Sequence, residues 1–324
     1  MTIDCPGADE RTSSESPPAC DISLIIPVLN EEEGLDNCFN EVFKVLKESG
    51  NSFEIIFVDD GSTDASLEKM LCLQKKSGHH VRVIQLKQNY GQLKAILSGL
   101  KYSRGNAVIT YDSDLEFPPE CIPKLAAKVL EGYDVASVVR KNRKDEYFLD
   151  RIFSIFGNYL INKALGIKQK DFGSVKGLSR LLVDQIVEQP PIHPNVYAAA
   201  FFLSKNFVEI PVDHQSRIYG RSKWSVFKRI ETYFDIYTTY HPRPFQWMMV
   251  GGGVCIFLGS ILGVYILYQY LTIPPEKGTR VLFDFFLILT GLIFIALSTI
   301  GEFVVRIFRK IPSKQEDYVS RVFD

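Results

Sequence analysis

Between residues 22 and 111 the chain alternates short apolar runs with segments of helical spacing. Ile22-Ser23-Leu24-Ile25-Ile26-Pro27-Val28 reads as a buried strand. The stretch 31–49 carries Leu35, Phe39, Val42, Phe43 and Leu46 at three- and four-residue intervals, which predicts a helix packed by one face. Residues 54–58 predict a second strand; helix 64–76, strand 81–86, helix 92–102 and strand 107–111 follow. Strands alternating with helices predict an α/β fold, a parallel sheet covered by helices with ligands at the carboxyl ends of its strands.

The pattern changes toward the C-terminus. Residues 245–270 contain no charged side chain, and neither do 285–301; about 20 apolar residues suffice to cross a bilayer, so two spans are predicted. Ahead of them, 224–240 places Trp224, Phe227, Ile230, Tyr233, Phe234 and Tyr237 opposite Lys228, Arg229 and Glu231, an aromatic-faced amphipathic helix suited to the headgroup level. Segment 148–165 is a second such candidate. Lys223, Lys228, Arg229 and Arg243 precede the first span, and Arg306, Arg309, Lys310, Lys314 and Arg321 follow the second. In the connecting loop Lys277 and Arg280 are balanced by Glu276 and Asp284. The positive-inside bias puts both termini and the α/β domain in the cytoplasm.

Composition averages these unlike parts. Hydrophobic residues make up 46% and charged residues 23% of the 324, values that exclude disorder of the whole chain. A net charge of -1 supplies no field for nucleic acid. Cys5, Cys20, Cys38, Cys72, Cys121 and Cys255 form no CxxC pair, so they read as reduced structural thiols. Residues 1–20, rich in Ser, Pro and Glu, read as a disordered tail without a signal-peptide core.

The chemistry-bearing residues cluster where the fold class puts a site. Asn30-Glu31-Glu32, Asp59-Asp60-Gly61-Ser62, Asn89-Tyr90-Gly91-Gln92 and Asp112-Ser113-Asp114 each follow one of the four strands. Two carboxylates two residues apart, Asp112 and Asp114, can share Mg²⁺ or Mn²⁺, which prefer oxygen ligands and take some from a substrate diphosphate. Asp59 and Asp60 suit ribose hydroxyls and a base edge as acceptors. No Walker lysine or GxGxxG opens a helix, which removes support for a P-loop ATPase or a dinucleotide dehydrogenase. Farther on, Arg217, Arg221 and Lys223 gather cations that can bind a phosphate at a membrane-facing mouth or face lipid headgroups.

Taken in order, Ile26-Pro27-Val28-Leu29-Asn30-Glu31-Glu32, Val58-Asp59-Asp60-Gly61-Ser62-Thr63-Asp64, Asn89-Tyr90-Gly91-Gln92, Asp112-Ser113-Asp114-Leu115 with Pro118-Pro119-Glu120, and Arg217 with Gly220-Arg221-Ser222-Lys223 resemble the inverting family-2 glycosyltransferases. The two spans, and Gly301-Glu302 followed by Arg306, are similar to the polyprenyl-phosphate subgroup, which includes bactoprenol glucosyltransferases, dolichol-phosphate mannose synthases and undecaprenyl-phosphate 4-deoxy-4-formamidoarabinose transferases. Asn89-Tyr90-Gly91-Gln92 and Glu131-Gly132-Tyr133-Asp134-Val135 with Val139-Arg140 look closest to the last.

The resemblance implies a Rossmann-like GT-A glycosyltransferase domain over 21–223, an interface helix at 224–244, membrane helices within 245–310 (about 245–270 and 282–307) and a cytoplasmic tail at 311–324. It implies Asp112, Asp114 and Asp171 as catalytic residues, with Asp112 and Asp114 on Mg²⁺ or Mn²⁺. Pro27, Asn30, Glu31, Asp59, Asp60, Gln92, Asp112 and Ser113 would bind a nucleotide sugar, most simply UDP-linked, and Arg140, Arg217, Arg221 and Lys223 the acceptor phosphate. Polyprenyl phosphate, membrane lipid and further copies of the chain, as in a tetramer, are the implied partners, and a bacterial inner membrane the implied location. Departures are Gln88 where Arg usually precedes Asn, Phe117 before Pro-Pro-Glu, and Gly177 where Arg is common, with Lys176 the adjoining cation. A transferase for another lipid or polysaccharide acceptor, and a non-catalytic sugar-nucleotide-binding protein, are the alternative readings.

Overall fold

The computed structural model describes residues 20–140, 148–170, 173–188, 195–212, 226–240, 243–272, 279–310 and 318–324. The tail at 1–19 thus lies outside the described residues, as do Asp171, Arg217, Arg221 and Lys223. Two compact units are present, Met1–Tyr233 with Ser313–Asp324, and Phe234–Pro312.

The first unit is built on β1 (Ile22–Val28), β2 (Phe53–Asp59), β3 (Val81–Leu86), β4 (Ala107–Thr110), β5 (Val135–Arg140), β6 (Lys176–Ser179), β7 (Phe207–Val212) and β8 (Val319–Phe323). They form one sheet in the order β7-β5-β6-β4-β1-β2-β3-β8. Strands β1 to β4 pair in parallel as expected, but β6 runs antiparallel to β4 and β5, and β8 antiparallel to β3. The sheet is therefore mixed rather than all parallel. Neither β6 nor β8 carries a long apolar run, so hydrophobic pattern alone did not reveal them.

Every residue of β1 and β2 is buried, because helices cover both faces. Ile22, Leu24, Ile26 and Val28 share one cluster with Leu35, Cys38, Val42 and Leu46 of α1 (Leu35–Glu48), Met70 and Leu73 of α2 (Ser66–Ser77), and Ile122 and Leu125 of α4 (Cys121–Leu130). Ile25 and Val58 face the other way, onto Gly99 of α3 (Gln92–Tyr102), where a Cβ would come within 2.5 Å of Ile25. The 31–49 periodicity resolves into α1, which begins at Leu35 because residues 31–34 turn back toward the β2 loop, as described below.

α5 (Phe148–Leu165), α6 (Arg180–Glu188), α7 (Val196–Leu203) and α8 (Val226–Tyr240) complete the order before the long helices. The ring of Tyr233 on α8 packs on Gly157 of α5, where a Cβ would clash with it. One aromatic of the predicted stripe is thus engaged by protein.

The second unit contains α9 (Arg243–Thr272) and α10 (Thr279–Lys310). Within them Phe245–Gln269 and Asp284–Val304 are long and apolar enough to cross a membrane, and only 11% of the most apolar stretch of each is buried. A core helix of a soluble protein would bury far more, so these surfaces require an apolar surrounding. The helices pack antiparallel through glycines: Gly252 and Gly291 meet across the seam, Gly259 lies against Ile288, and Gly263 against the Asp284 carboxylate.

Candidate functional site

The order β3-β2-β1-β4 contains a reversal between β1 and β4, the place where an open α/β sheet leaves a crevice. Pro27 shows how it opens. The Ile25 carbonyl accepts from the Tyr111 N–H at 3.0 Å, and residues two apart face the same neighbour, so the N–H that Pro27 lacks would point toward β4. Pairing there ends at Ile25 with Thr110, so no ladder bond is lost and the two strands separate beyond it.

Asp112-Ser113-Asp114 emerges from β4 at this point, all three partly exposed. One Asp112 oxygen accepts from the Gln92 amide at 2.7 Å and the other from the Ser174 hydroxyl, which orients the carboxylate from both sides. Asp114 Oδ1 accepts from the Glu116 N–H at 3.1 Å, and Leu115 takes a positive φ of 54° to close the turn. Burial pushes the Cys38 thiol up to about 12, and the charges of Asp114, Asp112 and Glu31 add to that rise. The thiol therefore stays protonated at neutral pH.

The other loops are knitted to each other. Asn30, at φ 53°, accepts the Thr63 N–H on its side-chain oxygen at 2.8 Å, while its own N–H donates to Ser62. The Glu31 N–H donates to Ser66 Oγ at 2.9 Å, and Glu32 accepts the Ala65 N–H at 2.9 Å. Asp59 accepts the Ser62 N–H at 3.0 Å. Asp60 is 2% exposed and accepts the Tyr90 N–H at 2.8 Å and the Gly91 N–H at 2.9 Å. Burial pushes its carboxyl above the ordinary value, against those two bonds and together with the charge of Asp59. Gly61 is required here: its φ is 73°, and a Cβ would lie 2.6 Å from the Asn89 nitrogen. Asn30 and Asp60, expected to bind ligand, each tie one loop to the next in the structure.

Arg140, at the end of β5, donates to Glu116 at 3.2 Å and lies over the Phe117 ring, beside the Asp114 turn. Beneath the carboxylates is a buried polar layer that sequence reasoning missed. Thr110 donates to the Ser174 carbonyl at 2.9 Å and receives the Tyr197 hydroxyl at 3.3 Å. Lys176 is fully buried, donates to Ser137 at 3.0 Å and sits over the rings of Tyr197 and Phe201. Gln169 donates to the same Ser137 hydroxyl at 2.9 Å. Only the segment 171–180, where Gly177 departs from the family pattern, pointed toward this layer.

Gly177 faces the opposite side of the sheet, where a Cβ would lie 2.9 Å from Ile109 and 3.0 Å from Val129. Successive strand residues point to opposite faces, so Lys176 does not occupy the space an arginine at 177 would need.

Among the described residues no cluster of three or more His, Cys, Asp or Glu side chains is arranged to hold a metal. Asp112 and Asp114 offer two hard oxygen donors, a set that fits an ion completing its shell with phosphate oxygens and water.

Residues 23–180 match the Glycosyl transferase family 2 model. The chain is 31% identical over 305 residues to the undecaprenyl-phosphate 4-deoxy-4-formamido-L-arabinose transferase of Enterobacter sp. (strain 638), covering 93% of each chain. It is also 31% identical over 310 residues to the enzyme of that name from Klebsiella pneumoniae, covering 94% of each. Glucosyl-3-phosphoglycerate synthase from Mycobacterium tuberculosis, solved with Mg²⁺ and UDP, superimposes with a TM-score of 0.52 at 18% identity, over 68% of this chain and 80% of that one. That likeness extends to the fold of the α/β unit, a GT-A-like mixed sheet. With its carboxylate turn at the β1/β4 crevice and relatives matched along nearly their whole length, the chain belongs to glycosyl transferase family 2.

Proposed function

We propose that this enzyme transfers a sugar, with inversion, from a nucleotide-linked donor to polyprenyl phosphate in the membrane. The observation that carries the reading is an Asp112 carboxylate oriented by Gln92 and Ser174 at the crevice of a family-2 fold, in a chain that also bears two lipid-length helices. Both transferase relatives carry undecaprenyl phosphate in their names.

The nucleotide lies across the loops of Pro27, Asn30, Glu31, Asp59, Asp60, Gln92 and Ser113. Asp112 and Asp114 would hold Mg²⁺ or Mn²⁺, which when bound offsets the charge of the leaving diphosphate. The solved neighbour with Mg²⁺ and UDP supports this choice of ion and nucleotide. The acceptor needs little help from a base: a phosphate monoester has a second pKa of about 6 and is largely dianionic at neutral pH. Its oxygen attacks the anomeric carbon from the side opposite the leaving nucleotide, while the protein positions the reactants and neutralises charge. Arg217, Arg221, Lys223 and Arg140 are assigned to the acceptor phosphate, and Asp171 to its approach.

A bacterial inner-membrane location follows from the same reading. Because β8 comes after α10 and pairs in the sheet with β3, two crossings return the chain to the side it left, and the flanking cations make that side the cytoplasm.

The test is to incubate the full chain with undecaprenyl phosphate, Mg²⁺ or Mn²⁺, and a panel of UDP- and GDP-sugars, reading glycolipid by mass spectrometry. Glycolipid is expected with one donor, reduced about 10²- to 10³-fold in Asp114→Ala. Product that survives Asp114→Ala undiminished removes the metal assignment, and product only with diacylglycerol overturns the acceptor.

A further inference from the structure

The last strand, β8, meets the site from an unexpected direction. It pairs antiparallel with β3, Phe323 opposite Val83 and Val319 opposite Leu86, and the Lys87 N–H donates to the Tyr318 carbonyl at 2.9 Å. The final residue is tied down: Asp324 accepts from the buried guanidinium of Arg82, and Arg104 lies 3.8 Å away. Arg82 also lies 3.6 Å from Glu54, which accepts the Arg104 N–H at 2.8 Å. β8 is therefore seated at both ends, and Tyr318 enters at a defined place.

The Tyr318 ring packs against that of Tyr90, centroids 4.9 Å apart and tilted by 57°, and the Lys94 ammonium sits over both rings, 4.8 Å from Tyr318 and 5.5 Å from Tyr90. Tyr90 belongs to the loop already held from the other side, where its N–H and that of Gly91 donate to Asp60. Gln92, next in sequence, donates to Asp112. The loop is clamped between Asp60 and Tyr318, and its end orients a carboxylate of the site.

We propose that β8 is a working part of the donor site, with Tyr318 as a positioning residue that holds the Tyr90-Gly91-Gln92 loop from which Asp112 is fixed. This rests on the reading of that crevice as the nucleotide-sugar site. Because β8 lies beyond both long helices in the chain, the donor loop is complete only after the chain has passed through the segment that contains them. Attractive geometry between two aromatic rings and a cation supplies the holding force.

The experiment uses the full-length protein in detergent, with Tyr318→Ala and, as the conservative control, Tyr318→Phe. Three readouts are taken: amide exchange at Tyr90 and Gly91, titration with UDP and Mg²⁺, and separate KM values for donor and polyprenyl phosphate. Tyr318→Ala is expected to speed exchange at Tyr90 and Gly91 and to weaken UDP binding and donor KM about 3- to 10-fold, the worth of one aromatic contact, with acceptor KM unchanged. Tyr318→Phe is expected to behave as wild type. Unchanged exchange in the loop overturns the proposal, as does faster exchange in β1 to the same degree, which marks general loosening. If loop exchange responds while wild type makes no glycolipid, the acceptor reading fails and the role of Tyr318 stands. If Tyr318→Ala makes glycolipid at the wild-type donor KM, the reaction stands and the role falls.

Discussion

In the α/β unit the enclosed side chains are large and apolar, with Ile22, Leu24, Leu46 and Phe57 fully buried. In α9 and α10 the buried positions among the described residues are Gly252, Gly259, Gly291 and Ser298, while Phe257, Val264, Leu267, Phe285 and Phe286 face outward. The same physics produces both arrangements. In water, removing apolar area is the driving force, so large side chains go inside. In lipid that force vanishes between helices, and close approach of backbones through small residues takes over. Among the described residues the buried Asp284 Oδ1, facing Gly259 and Gly263, has no hydrogen-bond partner, and neither do Gln169 Oε1 and Arg180 Nε in the α/β unit, whereas Asp60 there accepts backbone N–H groups from two residues.

The difference is open to test by substitution. Leu24→Ala, in the β1 core, is expected to cost about 2–5 kcal/mol in chemical unfolding of the solubilised chain, and a cost below about 1 kcal/mol would show that this core is not close-packed. Gly291→Val should cost about 1–3 kcal/mol in thermal unfolding, since its Cβ would come within 2.7 Å of the Gly252 carbonyl oxygen. An unchanged midpoint would mean the helices are not held by that seam.

A smaller effect is expected from Asp64. Burial raises its pKa, but hydrogen bonds from Ser66 and the Glu32 N–H outweigh this and hold it below 3.8. A carboxylate depressed in the folded state contributes stability above its unfolded pKa and loses it as pH falls through the folded value. Asp64→Asn should therefore flatten the decline of stability below pH 3.8, read from urea midpoints against pH, without altering the neutral-pH slope. The smallest effect is expected from Leu258→Ala, a half-exposed position on α9. Its unfolding free energy should stay within about 0.5 kcal/mol of wild type. A large loss there would mean that Leu258 packs on protein in the assembled state.

Much of the core was legible beforehand. The limits of β1, β3 and α3 match the apolar periodicity to the residue, because strands buried on both faces read as mostly apolar runs, interrupted only by Ser23 in β1 and by Arg82 and Gln85 in β3, and α3 presents a regular stripe. The acidic and amide clusters after the four strands were equally plain. What they bind within the protein was not. The pairing of Gln92 with Asp112, and of Asp60 with the loop from Tyr90, spans 20 or more residues and depends on strand order. Ser174, Tyr197 and Gln169 carry no motif and matter only because β6 and α7 bring them under the carboxylate turn.

The chain by itself determined which segments seek water and which seek lipid, since that depends on local composition and period. It also determined the carboxylates of the crevice, since turn residues after parallel strands have one edge to occupy. Tertiary structure alone decided that β6 would run against its neighbours, that Lys176 and Gly177 would face opposite layers, and that residues 318–324 would return to brace the loop of Tyr90. The reason is physical: strand pairing and aromatic packing join residues far apart in sequence, and no local pattern records which distant edge is free to accept them.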